Sequence, residues 1–143
     1  MAAAPYLHTD TFRIVMGEVD VAQIHFTAIY RWMDRGLSEL LAAIGHPFTR
    51  VLAEGPGIPI VDSRCRFRRR LLLDDEIALH TWVTGIGRTS FRTRHHFLRD
   101  GELAAEGELV HVCVNRGTRE PIPVPDWLRA VAFPDDAVPY AAG

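Results

Sequence analysis

One long amphipathic segment between residues 27 and 44 constrains the fold of this chain more than any other feature. Its apolar side chains recur every three or four residues, the spacing that places them on one face of an α-helix. These side chains are Tyr30, Met33, Leu37, Leu40, Leu41 and Ile44. Gly45 stands where a helix C-terminal cap belongs, and Pro47 prevents the helix from continuing. A helix with a single apolar stripe must pack one side against a broad surface.

Strand patterns before and after this segment supply such a surface. Residues 9–16 alternate polar and apolar side chains, which predicts a first strand. Four more strands are predicted after the helix, at about 58–68, 77–83, 89–98 and 103–114, and a short helical end is predicted around Trp127-Leu128. Consecutive strands joined by short turns pair antiparallel. We therefore expect an α+β fold in one domain, residues 1–143, with its core at about 9–130.

The composition argues against several classes of function. A formal charge of −2 and a pI near 6.4 lack the positive excess that is typical of nucleic-acid-binding domains. No apolar run approaches the roughly 20 residues needed to cross a bilayer, and residues 1–5 have neither the basic nor the apolar region of a signal peptide. We therefore expect a cytoplasmic protein that binds neither nucleic acid nor membrane. Cys65 and Cys113 are predicted to be buried apolar side chains, because their number and spacing suit neither a disulfide framework nor a metal site.

The segment before the helix carries the residues best suited to catalysis. It reads Gly17-Glu18-Val19-Asp20-Val21-Ala22-Gln23-Ile24-His25-Phe26. Asp20 lies close to a helix N-terminus, where the first N–H groups have no partner within the helix and lie at the positive end of its dipole. Such N–H groups stabilise an oxyanion, while a carboxylate acts as a nucleophile or as a general base on water. The pattern therefore favours hydrolysis of a thioester or an ester.

This segment and the following Tyr30-Arg31-Trp32-Met33-Asp34 resemble the hotdog-fold thioesterases of the 4-hydroxybenzoyl-CoA thioesterase-like family. Further resemblance lies at Gly87-Arg88-Thr89-Ser90-Phe91 and at Glu108-Leu109-Val110-His111-Val112-Cys113-Val114. The resemblance implies a curved five-stranded antiparallel sheet around the long helix. It also implies a homodimer or homotetramer, with active sites at the dimer interface. The implied substrate is an acyl-CoA thioester, and no cofactor or metal is expected because coenzyme A is part of the substrate.

The resemblance also assigns roles to single residues. Asp20 matches the catalytic carboxylate of the family. The backbone N–H groups near Phe26 and Thr27 match those that polarise the thioester carbonyl, although the hydroxyl of Thr27 could instead cap the helix. The turn at 88–90, formed by Arg88, Thr89 and Ser90, matches one that contacts the pyrophosphate or pantetheine of coenzyme A.

Three residues of the loop depart from the family pattern. Gln23 stands where a glycine is frequent, and its side-chain amide would lie at the thioester. His25 stands where an apolar residue is usual and is open to three interpretations: a second base, part of the pocket wall, or a cap at the helix entrance. Glu18 replaces a common aspartate and is expected to be a solvated charge pointing away from Asp20. Trp32, on the helix, is expected to serve in packing or at an interface.

Other polar residues are less specific. Arg66 and Arg68, with Arg69 and Arg70, form the densest basic cluster, which fits either a solvated strand end or contact with the phosphates of coenzyme A. His95 and His96 are adjacent on a strand and should face opposite sides, so they are expected to be structural and not to share a metal. Neither Ser63 nor Ser90 lies in the Gly-x-Ser-x-Gly turn of a serine hydrolase.

Together these features predict an acyl-CoA thioesterase that releases a free acid and coenzyme A. The acyl group is not specified, and aryl groups such as hydroxybenzoyl are among the candidates. One alternative is a thioesterase that releases a fatty or polyketide-like acid from an acyl carrier protein. Another is a non-catalytic module that binds acyl-CoA on the same fold.

Overall fold

A computed structural model describes residues 4–141, and five strands and three α-helices lie within that range. The elements are β1 (Leu7–Arg13), α1 (Ala28–Ala43), α2 (Phe48–Glu54), β2 (Ile60–Phe67), β3 (Glu76–Thr84), β4 (Ser90–Arg99), β5 (Glu102–Val112) and α3 (Asp126–Arg129). A turn of 3-10 helix at Met16–Glu18 lies between β1 and α1. None of the helices in the described range is long and apolar enough to cross a membrane.

The strands form one antiparallel sheet in the spatial order β1-β3-β4-β5-β2. Strands β3, β4 and β5 are neighbours both in sequence and in space. In contrast, β2 precedes β3 in sequence but pairs with β5 on the other side of the sheet. The two edges are therefore β1 and β2, and α1 lies across one face. This arrangement confirms the predicted α+β fold with one long helix and five antiparallel strands.

The helix α1 packs so closely on the sheet that two positions of contact have no room for a side chain. A Cβ atom at Gly107 on β5 would collide with the sulfur of Met33, and one at Gly36 on α1 would collide with the hydroxyl of Thr81. Met33 is completely buried, as are Leu40 and Leu41 further along the same stripe. Because a packed core has little free space to relax, these contacts fix the position of α1 on the sheet.

The two faces of the sheet differ in character because successive residues of a strand point to opposite sides. Leu79, Phe97 and Leu109 face α1 and form part of the main core. The opposite face, here called the outer face, carries ion pairs. Its charged residues include Arg66, Arg68, Arg92, Arg94, Glu106 and Glu108.

The boundaries of the elements follow the sequence patterns with two differences. The first strand, predicted at 9–16, lies at Leu7–Arg13. It begins two residues earlier than predicted and ends at Arg13 because Ile14 is already held by backbone hydrogen bonds to Asp74 and Asp75 before β3. The helix α2 was not predicted. It begins directly after Pro47, a residue that suits a helix start because its missing N–H would have no partner there. Gly45 adopts φ +87° after α1, as its predicted capping position requires.

A chain of hydrogen bonds runs through two buried histidines beneath α1. The Thr81 hydroxyl donates to Nδ1 of His95 (3.4 Å), and Nε2–H of His95 donates to Oγ1 of Thr93 (3.0 Å). Thr93 donates in turn to Nε2 of His111 (3.4 Å), whose Nδ1–H donates to the carbonyl of Ile58 (3.2 Å). These donor and acceptor roles belong to neutral rings, the form that burial favours because it lowers the pKa of both His95 and His111. The adjacent His96 lies on the outer face against the Tyr140 hydroxyl, so the prediction that His95 and His96 face opposite sides is confirmed.

We expect the free energy of unfolding to fall as the pH is lowered from about 7 to 4. Burial, reinforced by the nearby His111 and His96, lowers the pKa of His95 from 6.5 to about 3. Between these two pH values the unfolded chain binds a proton at His95 that the folded chain excludes. The contribution of His95 to stability is therefore fully present above pH 6.5 and is lost as the pH falls towards 3. A single histidine gives a slope of up to about 1.4 kcal/mol per pH unit. Urea unfolding between pH 7.5 and 5 measures the slope, and a His95→Gln variant with an equal slope would contradict this explanation.

Candidate active site

The segment between β1 and α1 forms a small closed loop with Asp20 at its tip. The N–H of His25 donates to the carbonyl of Glu18 (2.8 Å), and Val19 pairs with Ile24 as an isolated antiparallel bridge. Beyond these two contacts, which we call the neck of the loop, the N–H of Asp20 donates to the carbonyl of Gln23 (2.8 Å). Backbone hydrogen bonds therefore bring the two ends of the loop together and leave its tip outside.

A second set of contacts attaches this loop to the body of the protein. The N–H of Ile24 donates to the carbonyl of Leu71 (2.9 Å), and the Arg70 guanidinium donates to the carbonyl of Ala22 (2.9 Å). Arg70 is itself held by Arg99, whose guanidinium donates to the Arg70 carbonyl (2.7 Å). Ile24 is buried, whereas the tip residues are exposed. The loop thus lies beside the segment that follows the edge strand β2.

Asp20 presents its carboxylate to solvent at the tip. Its Oδ1 accepts a long hydrogen bond from the N–H of Ala22 (3.3 Å), and the side chain takes part in no ion pair with the described residues. A carboxylate with so few partners keeps most of its lone pairs available to water or to a substrate. This is the exposure that a nucleophile or a general base needs.

The start of α1 offers N–H groups close to this loop. Within residues 4–141 the N–H of Phe26 has no hydrogen-bond partner, while that of Ala28 donates to the carbonyl of His25 (2.9 Å). The N–H of Thr27 donates weakly to Nδ1 of His25 (3.3 Å), and the Thr27 hydroxyl approaches the same nitrogen (2.7 Å). Because both groups donate, Nδ1 is the unprotonated nitrogen of the ring. His25 also stacks on Phe26, with ring centroids 4.9 Å apart.

Gln23 lines a small cleft next to the loop. The cleft has a volume of about 210 Å³ and is lined by Gln23, Ile24, Phe67 and residues 68–71. Phe67 is 48% exposed there, at the end of β2. The cleft combines apolar surface with the amide of Gln23 and three arginines, Arg68, Arg69 and Arg70, a composition that suits a chain with both apolar and polar groups such as pantetheine.

Arg66 and Arg68 lie on the outer face of the sheet, opposite α1. Both approach the same carboxylate, because Glu106 lies 3.9 Å from Arg66 and 3.1 Å from Arg68. Their side chains remain 69% and 45% exposed. Two guanidinium groups thus share one negative charge, which leaves a local positive excess near the end of β2.

The turn at 88–90 lies far from Asp20 within one chain. The loop of Asp20 is attached just before β3, at Leu71, whereas this turn follows β3. The nine residues of β3 separate these two regions by about 30 Å, at roughly 3.3 Å per residue. The carbonyl of Thr89 accepts from Cys113, that of Ser90 accepts from Gly87, and Arg129 holds the carbonyl of Arg88. The fold therefore does not bring the two groups of candidate residues together in a single copy.

Glu18 is not the solvated charge that the sequence predicts. Its side chain is half-buried, and its two carboxylate oxygens accept one N–H each, from the backbone of Val15 (2.9 Å) and from the indole of Trp32 (2.6 Å). Trp32 is buried, as expected for a packing residue. A buried indole N–H requires an acceptor, which was the only signal of this contact in the sequence.

The cysteines give no alternative nucleophile. Burial raises the pKa of both the Cys65 and the Cys113 thiols to about 11, so neither is a thiolate at neutral pH. Both are free; Cys113 is buried, as predicted, and Cys65 is only partly buried. Asp20 therefore remains the best-placed group for attack on an acyl carbon or for activating water.

Known proteins with similar sequences and structures include several thioesterases. The profile of the Thioesterase-like superfamily matches residues 14–131. A 1,4-dihydroxy-2-naphthoyl-CoA hydrolase of Synechococcus sp. (strain WH7803) is 29% identical over 133 residues, which cover 84% of this chain and 87% of that protein. The structure of a gentisyl-coenzyme A thioesterase is 28% identical and has a TM-score of 0.77, with 85% of this chain and 99% of the other covered.

A more distant structure agrees in fold. The 1,4-dihydroxy-2-naphthoyl-CoA thioesterase of Synechocystis is 16% identical, with a TM-score of 0.80 over 88% of this chain and 96% of the other. The overall fold described above is thus shared with these solved structures. Because the family profile spans most of the sequence, this chain belongs to the Thioesterase-like superfamily and has the hotdog fold.

Proposed function

We propose that this protein hydrolyses an acyl-CoA thioester to a free acid and coenzyme A, with Asp20 as the catalytic carboxylate. The observation that carries the proposal is the exposed carboxylate of Asp20 on a loop that leads directly into the start of α1, where the Phe26 N–H is free of partners within the described residues. A negative group and an oxyanion-binding group on one short loop suit attack on a carbonyl carbon. Membership of the Thioesterase-like superfamily supports the same chemistry.

Two routes use this arrangement. In the first, an Asp20 oxygen attacks the thioester carbon, the C–S bond breaks to release the thiolate of coenzyme A, and water then hydrolyses the mixed anhydride. In the second, Asp20 takes a proton from water, the resulting hydroxide attacks, and the proton passes to the departing thiolate. In both, the N–H groups of Phe26 and Thr27 stabilise the oxyanion. The hydrogen bond from the Thr27 N–H to His25 is long (3.3 Å) and therefore weak, so a substrate oxygen can replace His25 as the acceptor without movement of the backbone.

An aryl acyl group is the proposed substrate class. Three aromatic side chains are exposed in the loop of Asp20, at the start of α1 and in the cleft beside the loop: Phe26 (63%), Tyr30 (41%) and Phe67 (48%). Aromatic rings stack favourably on such side chains. The hydrolase of Synechococcus and the gentisyl-coenzyme A thioesterase are both named for aryl thioesters. Hydroxybenzoyl-CoA belongs to the same chemical class.

We expect Asp20→Asn to lower kcat by about 10²–10⁴-fold, because it keeps the shape of the side chain and removes both the charge and the basicity. Thiol release from a panel of aryl and aliphatic CoA thioesters measures the effect. Asp100→Asn is the matched control, since Asp100 is also an exposed carboxylate in a turn and its φ of 51° is readily adopted by asparagine. Near-normal hydrolysis by Asp20→Asn would end the assignment. Binding of the thioesters without any hydrolysis by the parent would indicate a non-catalytic acyl-CoA-binding module.

A homodimer joined through β2 is proposed as the smallest active unit. This strand pairs with β5 on one side, and no other strand of the described range covers its second side. Ile60 and Val61 are 54% and 58% exposed on it. An open apolar edge is a template for pairing with a second strand. Antiparallel pairing of two copies would bring the far end of one sheet towards the Asp20 loop of the other, which would unite that loop with the turn at 88–90. Pairing of two such dimers into a homotetramer is compatible with this arrangement.

A Val61→Lys variant should shift the protein towards monomer and lose most of its activity, because charge on an edge strand opposes pairing. Sedimentation velocity at several concentrations, with the assay, measures both effects. Leu52→Lys is the control, since Leu52 is equally exposed (57%) but lies on α2 and not on the edge strand. A fully active monomer would contradict an active site shared between copies.

Substitution of two arginines on the outer face can distinguish between coenzyme A and a carrier protein as the donor of the acyl group. If Arg66 and Arg68 contact the phosphates of coenzyme A, the double change to Gln should raise KM for acyl-CoA by about tenfold with kcat unchanged. The same acyl group on pantetheine, which lacks the nucleotide, serves as the control substrate and should show no change. Equal KM values for parent and variant would contradict a contact between these arginines and the phosphates and would favour a carrier-protein substrate.

A further inference from the structure

The carboxylate of Glu18 connects three parts of the candidate site. One oxygen accepts the N–H of Val15, where the chain leaves β1, and the other accepts the indole N–H of Trp32, on the second turn of α1. The backbone of the same residue donates to the carbonyl of Val15 (3.0 Å) and accepts from His25 (2.8 Å). A single residue thus contacts the end of β1, the far limb of the loop and the helix.

Trp32 gives this connection a rigid support. Its side chain is only 3% exposed and packs against the rings of Phe12 and Phe97, with centroids 5.1 and 5.8 Å away. A large buried ring on a packed helix has little freedom to move. The hydrogen bond from its N–H to a carboxylate is charge-assisted and therefore stronger than one between neutral groups. Glu18 is in this way held to the core and not to the exposed tip of the loop.

Because of the geometry of the loop, the position of Glu18 affects the position of the Asp20 carboxylate. Asp20 follows Glu18 by two residues, and Phe26 follows its partner His25 by one residue. The bond between residues 18 and 25 therefore sets how the carboxylate of Asp20 lies relative to the N–H groups at the start of α1. A displacement of about 1 Å in such a pair lowers a reaction rate by about 10²-fold.

We propose that Glu18 is a positioning residue, which acts through Trp32 to hold the carboxylate of Asp20 in register with the oxyanion-binding N–H groups. This inference rests on the proposed thioesterase function. The glutamate touches neither the substrate nor the reacting atoms. Its effect is on the chemical step, because the cleft and the arginines that would bind coenzyme A are held by other contacts.

Two substitutions address the same contact from its two sides. Glu18→Gln keeps the length of the side chain but leaves only one acceptor oxygen, so either Val15 or Trp32 loses its partner. Trp32→Phe keeps an aromatic ring in the core and removes only the donor. We expect each to lower kcat by about 10–100-fold, with KM changed by less than about twofold. The double variant should be no slower than the slower single variant, because residues that act through one contact are not additive.

Matched controls separate positioning from a general loss of stability. Glu39→Gln alters an exposed carboxylate on the outer side of α1, and Trp127→Phe alters a half-buried indole that stacks on His46 (3.9 Å) at the other end of the protein. Both should retain the parent kcat. Thermal unfolding checks that each variant is folded at the assay temperature, and the indole N–H resonance of Trp32 in a ¹H–¹⁵N spectrum should move in Glu18→Gln. If Glu18→Gln fails to fold, Trp32→Phe carries the test.

The outcomes are distinct. A lower melting temperature with kcat unchanged in both single variants would overturn the positioning role, while Asp20→Asn would still report on the proposed function. Additive losses in the double variant would also overturn it, since they would mean that the two residues act separately. A parent protein that hydrolyses none of the thioesters would remove the proposed function and, with it, this inference.

Discussion

The close packing of α1 against β5 is the contact on which the rest of the structure depends. Met33 occupies the space that a side chain at Gly107 would fill, and Gly36 lets the helix approach Thr81. The helix and the sheet can approach this closely only because Gly36 and Gly107 have no side chains. The helix therefore cannot slide or rotate without steric overlap. Its N-terminus is fixed as a consequence. Backbone N–H groups can serve as an oxyanion site only if their position is set before substrate arrives, and in this protein the core sets that position.

The loop that carries Asp20 has the opposite character. Its neck is tied by backbone hydrogen bonds, Arg70 and Ile24 attach it to the segment after β2, and its tip is open to solvent. The proposed catalytic carboxylate is thus exposed, while the contacts that hold its loop lie in buried structure. His25 adds a polar contact at the junction of loop and helix, because its Nδ1 receives both the hydroxyl and the N–H of Thr27. An apolar residue at this position would leave that N–H free.

Much of the fold could be predicted because it follows local periodicity. The apolar stripe and Gly45 gave α1 to within about one residue, and alternation gave the three long strands β3 to β5. The short helix α2 cannot be predicted because seven residues carry too little of the helical repeat, and Pro47 marks the end of one helix as well as the start of the next. The hydrogen bond between Glu18 and Trp32 could not be predicted, since it joins residues 14 positions apart and depends on how the loop turns back on the helix. The distance between Asp20 and the turn at 88–90 depends on the order of the strands, so local motifs could not reveal that the two lie far apart in one chain.

The charges on β2 have a consequence for how two copies of the edge would align. Asp62 and Arg64 lie on the same face of this strand, separated by one residue. If two such strands meet antiparallel with Ser63 at the centre, each Asp62 lies opposite Arg64 of the other copy. A shift that puts Arg64 at the centre sets two arginines against each other, and like charges in that position destabilise a strand pair. The pattern of charge thus discriminates between alignments and also discourages the unlimited edge-to-edge growth that open strands invite.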